Sequence, residues 1–225
     1  MNTSAVTRLG RTGFETTLNG RRVSVASATY VAAWITGLVT GPSTPAATGP
    51  DSAIHAYYLQ EGPGILLQSS LIHGVAGAAL LTLAWTIPAA TRAPGLLRRS
   101  VTVFGTLAAL VSFLQVAFAV AGVSTAPHTD AATSAALLDS INVADTVKLL
   151  LLAGFAVAAT VAATAGGMLP RWVRAMTAVL VVLLPLGGLA FIVESGVLTA
   201  MLYASLPLLL AWAATLGFFV GRRAY

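Results

Sequence analysis

Six apolar runs, near residues 23–41, 65–90, 100–123, 138–167, 172–193 and 197–220, leave this chain little polar sequence from which to build a water-facing surface. A helix needs about 20 apolar residues to cross a hydrocarbon layer roughly 30 Å thick. In lipid every backbone N–H and C=O must be paired inside the segment, so runs of this length read as helices. Only 8% of the residues are charged, against about 25% in soluble domains, which argues against a soluble globular fold. The fold class expected is all-α, a polytopic membrane helix bundle with six transmembrane helices. Residues 1–22 form an N-terminal tail, 23–220 the six-span membrane domain and 221–225 a C-terminal tail.

Orientation follows from where the charges fall. Arg8, Arg11, Arg21, Arg22, Arg92, Arg98, Arg99, Arg171, Arg174, Arg222 and Arg223 occupy the two tails and alternate connections, on one side when six spans are threaded. Asp51, Glu61, Asp130, Asp139 and Glu194 occupy the opposite side, without a basic residue among them. The positive-inside rule then predicts both termini in the cytoplasm. The same placement accounts for the net charge of +5 without any nucleic-acid partner. The chain has no Cys, which excludes disulfides, thiolate catalysis and iron–sulfur ligation. Lys148 is the only Lys in a chain rich in Ala, Gly and Arg, a bias that points to a bacterial cytoplasmic membrane. Cleavage of the first span near Pro45-Ala46-Ala47 is the alternative to a retained helix. Its apolar run of 19 residues exceeds the 7–15 of a signal-peptide core, which favours retention.

Between the first two spans, Pro42, Pro45 and Pro50 forbid regular helix at the start of the connection. An amphipathic turn or two is expected from Asp51 to Gln60, capped by Asp51 or Ser52, with Ile54, Tyr57 and Tyr58 toward the membrane surface. In the fourth span Gly154, Ala158, Ala162 and Gly166 recur every four residues. Such a face lets another helix approach closely, either within the bundle or across a homo-oligomer. Pro185 and Pro207 interrupt the last two spans and are expected to free carbonyls and open space between helices.

Asn142, Asp145 and Lys148 lie three residues apart in the fourth span. At about 1.5 Å per residue they sit at a depth similar to His73 in the second span, Gln115 in the third and Tyr203 in the sixth. The six residues define a polar layer in the outer half of the bundle. One reading is structural: an Asp145–Lys148 ion pair with Lys148 snorkelling outward, and His73 and Gln115 bonding each other. The other is an outward-facing pocket that binds a small apolar or amphipathic molecule, or passes protons. Asp51, His55 and Glu61 are outer-loop candidates for acid chemistry, which would suit a membrane-embedded enzyme acting on a lipid or isoprenoid-like substrate. A non-catalytic accessory subunit is the third class. The spacing of His55, His73 and His128 matches no metal-ligand motif, and no phosphate loop or nucleophile elbow is present, so no metal or cofactor is expected. Trp34, Trp85, Trp172 and Trp212 are expected to pack or to anchor at the interfaces.

The run Gly166-Gly167-Met168-Leu169-Pro170-Arg171-Trp172, the ending Gly221-Arg222-Arg223 and the stretch Gln68-Ser69-Ser70-Leu71-Ile72-His73-Gly74 resemble a broad group of six-span bacterial integral membrane proteins of similar length. That group has no established reaction. The resemblance implies a fold and no mechanism.

Overall fold

The computed structural model of the chain describes residues 3–45, 49–193 and 195–223. Ala46 and Ala47 of the candidate cleavage site, the acidic Glu194, the last two residues and the side chains of Arg8 and Arg11 lie outside the described residues. The described residues form helices α1 (Thr3–Thr40), α2 (Asp51–Gln60), α3 (Gly62–Ser69), α4 (Ala76–Thr91), α5 (Gly95–Thr125), α6 (Ala131–Ala165), α7 (Arg171–Leu189) and α8 (Gly196–Arg223). A π-helical segment, Ser70–Val75, joins α3 to α4, and one 3-10 turn, Ala126–His128, follows α5. No strand occurs among them. Six continuous helical stretches are long and apolar enough to cross a membrane, Leu18–Thr40, Gly62–Thr91, Gly95–His128, Ala131–Ala165, Arg171–Leu189 and Gly196–Arg223.

Helix boundaries differ from the apolar runs for local reasons. Helix α1 continues without a break from Thr3 through the polar tail, because nothing in residues 3–22 stops an α-helix once started. Pro94 and Pro170 adopt extended ψ near 161° immediately before α5 and α7, fixing where those helices begin. Helix α4 ends at Arg92, whose φ of 52° is left-handed, and α6 is followed by Gly167 at φ 65°. Asp130 caps α6: its Oδ1 accepts from the Thr133 hydroxyl at 2.6 Å and the Thr133 amide at 2.9 Å, which holds its carboxyl below the usual carboxylate range. Helix α2 does form, but Pro50 stands at its N-cap and no side chain caps it, contrary to the expectation for Asp51 or Ser52.

Each long helix packs on the one before it in sequence, and α8 closes back onto α1 to make a ring of neighbours. One continuous core results, in which Leu83, Ile87, Leu152, Phe155, Leu180, Leu184, Leu209 and Trp212 are buried. Helix α6 is the most enclosed. A small polar chain ties it to its neighbours, with Trp212 Nε1 donating to Thr160 Oγ1 at 3.0 Å and Thr160 sharing a 2.9 Å bond with Thr177. Three of the four small residues on this face of α6 are covered within the chain, Ala158 and Ala162 by burial and Gly154 by Phe104 of α5, whereas Gly166 is exposed. A second close approach lies at Gly217 and Gly221 of α8, where Ser24 and Ser27 of α1 leave no room for a Cβ and Ser24 donates to the Gly217 carbonyl at 2.9 Å.

The two ends of the bundle differ in chemistry. At one end Arg223 donates to the Gly167 carbonyl and the Thr91 carbonyl lies beside Gly166, so the links α4–α5 and α6–α7 and the end of α8 meet there with their arginines. At the other end α2 lies across α5 and α6. Ile54 and Tyr58 are buried in a separate small core with Ile65, Ala119, Ala126 and Leu138, rather than facing a membrane surface as expected. Tyr58 reaches that core because Gly122 of α5 has no side chain beneath its ring. Burial pushes the Tyr58 phenol up to about 12, so it is a neutral hydroxyl at any ordinary pH.

Candidate functional site

Four of the six long helical stretches converge on one ammonium group. Lys148 leaves α6 and is 2% exposed, so it does not snorkel outward. Its Nζ lies 2.5 Å from Asp145 Oδ1 one turn back on α6, which realises the expected ion pair. The same Nζ donates to Gln115 Oε1 of α5 at 2.8 Å and meets His73 Nδ1 of the π segment at 3.2 Å. The indole of Trp34 on α1 stands 5.7 Å from Nζ, centroid to nitrogen, within cation–π range. An ammonium has three protons to donate, and these three acceptors use all of them.

The arrangement corrects the expectation that His73 and Gln115 bond each other. Both instead accept from Lys148, because a buried cation left short of acceptors costs more than a neutral pair left apart. The orientation of the Gln115 amide is set on its other side, where Nε2 reaches the Ile141 carbonyl at 3.4 Å. With Nδ1 accepting from the ammonium, the imidazole of His73 carries its proton on Nε2.

The π segment positions His73. A π turn closes i→i+5 bonds, so it accommodates an extra residue and shifts the helix face downstream. His73 sits in the middle of Ser70–Val75 and Gly74 follows it, with only the Val116 side chain near the space a Cβ would take. Neither periodicity nor hydropathy reveals such a turn.

Beside this cluster, at the α2 end, lies a cavity of about 600 Å³, well within the size of ordinary ligand sites. Of the six residues predicted to form the polar layer, His73, Gln115, Asn142, Asp145 and Tyr203 line it. Lys148 stands just behind them. Its apolar wall includes Leu138, Leu149, Phe191, Leu202 and Leu206, so it lies beside the ends of α7 and α8, on the far side of Pro185 and Pro207 from the arginine-bearing end. Trp34, Tyr57, Tyr58, Gln68 and Ser69 also line it. The Ser69 and Tyr58 hydroxyls are buried with no hydrogen-bond partner among the described residues. Tyr203, 72% exposed, stands at the rim.

Sequence reasoning missed Trp34, Tyr57 and Tyr58 as lining residues. Their aromatic character marked them for an interface, and nothing local distinguishes an aromatic at a lipid boundary from one that closes a cavity. The outer-loop candidates do not join the site. Asp51 and Glu61 are exposed, and His55 pairs through Nδ1 with Ser134 Oγ at 2.8 Å. Asp145 is the one carboxylate among the described lining residues. No group of three His, Asp or Glu side chains converges among the described residues.

Chemically, the Lys148 charge is neutralised by Asp145 and its donors are filled, so the site has no cation left over to hold an anion. Its neutral polar lining residues, Asn142, His73, Ser69 and Tyr58 among them, stand beside an apolar wall. No protein-family model, curated protein or solved structure matches this chain.

Proposed function

We propose that this chain is a multi-pass protein of a bacterial cytoplasmic membrane, with both termini in the cytoplasm. In this reading it binds a small, neutral, amphipathic molecule in the cavity that opens away from the cytoplasm, as a receptor or transporter of that molecule. The observation that carries it is the convergence of four helical stretches on Lys148 beside a cavity of about 600 Å³. An ion pair placed deep in a span is costly, and its retention next to an open cavity fits a working site better than a structural bridge. The neutrality of the pair selects an uncharged ligand, and the Asn142 side-chain amide in the cavity lining supplies a donor and an acceptor for it. Proton coupling is the second reading, favoured by the single Lys148 Nζ contacting both Asp145 and His73, two groups that can exchange protons with it.

The test uses the purified full-length protein. Small molecules released from the wild type are compared by mass spectrometry with those from the double variant D145N/K148M, which removes both charges together. A molecule enriched in the wild type and absent from the folded double variant supports a binding site. Equal content in the two proteins reduces the pair to a structural bridge. For the proton reading, uptake of the identified molecule into vesicles should respond to an imposed pH gradient in the wild type and not in D145N/K148M.

A further inference from the structure

A second groove lies on the outer surface of the bundle, between α1 and α4, and shares no lining residue with the Lys148 cavity. It measures about 590 Å³ and is lined by Leu18, Arg21, Arg22 and Val25 of α1, with Ala78 and Thr82 of α4 among the residues opposite. Arg21 and Arg22 are exposed and make no ion pair among the described residues. The arginines of the C-terminus differ: Arg222 stacks 5.0 Å from the Phe218 ring centre and Arg223 donates to the Gly167 carbonyl. Apart from the arginine pair and the side chains of Thr29 and Thr82 the groove is apolar. The Thr82 hydroxyl is turned onto its own helix, donating to the Ala78 carbonyl at 2.9 Å, so it leaves no unsatisfied donor there.

The dimensions suit a lipid. From Leu18 to Thr29 the groove follows α1 for about 16 Å at 1.5 Å per residue, roughly half of a 30 Å hydrocarbon core. Its charged part sits at the arginine-bearing end, where an anionic headgroup would lie if that end faces the cytoplasm. Guanidinium groups take phosphate oxygens in paired hydrogen bonds, and two that make no ion pair among the described residues, beside an apolar channel, complement a phosphodiester with an acyl chain attached.

We propose that the α1–α4 groove is a binding site for an anionic phospholipid, with its phosphate on Arg21 and Arg22 and one acyl chain along Val25, Ala78 and Thr82. The inference rests on the reading of the six long helical stretches as membrane spans. If the chain instead remains soluble without detergent, that reading fails before the groove is tested.

The experiment is a titration of the detergent-purified full chain with phosphatidylglycerol and with phosphatidylcholine of identical acyl chains, followed by native mass spectrometry. Wild type should bind its first phosphatidylglycerol about 30-fold more tightly than its first phosphatidylcholine. R21Q/R22Q should bring the two within about threefold of each other. R98Q/R99Q removes the same charge from the same end and should keep the preference. A78F, at an exposed position on the groove wall, should weaken the first binding event for both lipids about tenfold. Millimolar inorganic phosphate should not displace the bound lipid. Equal binding of the two lipids by wild type, an undiminished preference in R21Q/R22Q, or loss of preference in R98Q/R99Q would each overturn the proposal, as would displacement by inorganic phosphate. Arg21, Arg22, Arg98, Arg99 and Ala78 are all exposed, and unchanged thermal melting checks that every variant is folded.

Discussion

Lys148 shows how much one side chain can organise. Its three acceptors come from three different helical elements, and removing it strands the Asp145 carboxylate in low dielectric with Gln115 and His73 left short of a donor. Breaking a buried pair by removing one partner typically costs about 3–5 kcal/mol, whereas replacing both by apolar or neutral groups costs far less. D145N and K148M should therefore each lower the melting temperature in detergent, and the double variant should recover part of the loss. Strictly additive losses would show that the two groups are not coupled. The polar residues that face the cluster and its cavity were legible from spacing and depth, because polar residues inside apolar runs are conspicuous, whereas the aromatic lining residues Trp34, Tyr57 and Tyr58 were not. The partners among those polar residues were not legible. Depth arithmetic placed His73 and Gln115 at one level, but only the packed helices decide that both turn to Lys148.

At the scale of elements, the long helices were legible and their irregularities were not. Apolar runs are a property of composition, and a 20-residue run has few alternatives to a helix in lipid. The π segment at Ser70–Val75 packs against α1 and α5, and the sequence Ser-Leu-Ile-His-Gly-Val carries no local signal for its extra residue per turn. Helix α2 was expected to lie on a surface, yet its face of Ile54 and Tyr58 is buried because Gly122 happens to stand beneath it. Close approach elsewhere is equally exacting. At Gly105 of α5 a Cβ would lie 2.6 Å from the Ala84 Cβ and 2.9 Å from the Phe155 ring. Ala84 and Phe155 are both buried, so neither can swing away. G105A should then lose about 1–3 kcal/mol through overpacking, read as a lower melting temperature, and a wild-type melt for G105A would show that α4, α5 and α6 do not cross this tightly.

At the scale of the whole molecule, arginines gather at one end of the ring of helices and α2 lies at the other, so the proposed orientation is open to a direct check. The chain has no native cysteine, and single cysteines therefore label cleanly. Ala126 is buried and would be a poor reporter, whereas His128 at the α2 end and Gly95 at the arginine end are exposed, with open space around the Gly95 Cβ position. In intact cells H128C should react with a membrane-impermeant maleimide and G95C only after permeabilisation. The reverse pattern would invert the orientation. What the sequence determined by itself is the set of six apolar helical stretches and the sorting of charge between their ends, since both follow from hydropathy and residue order alone. The neighbours of Lys148, the cavity beside it and the groove under Arg21 and Arg22 were decided only by tertiary structure. Each depends on how helices distant in sequence rotate and cross, and that is set by packing at glycines and buried side chains rather than by any local pattern.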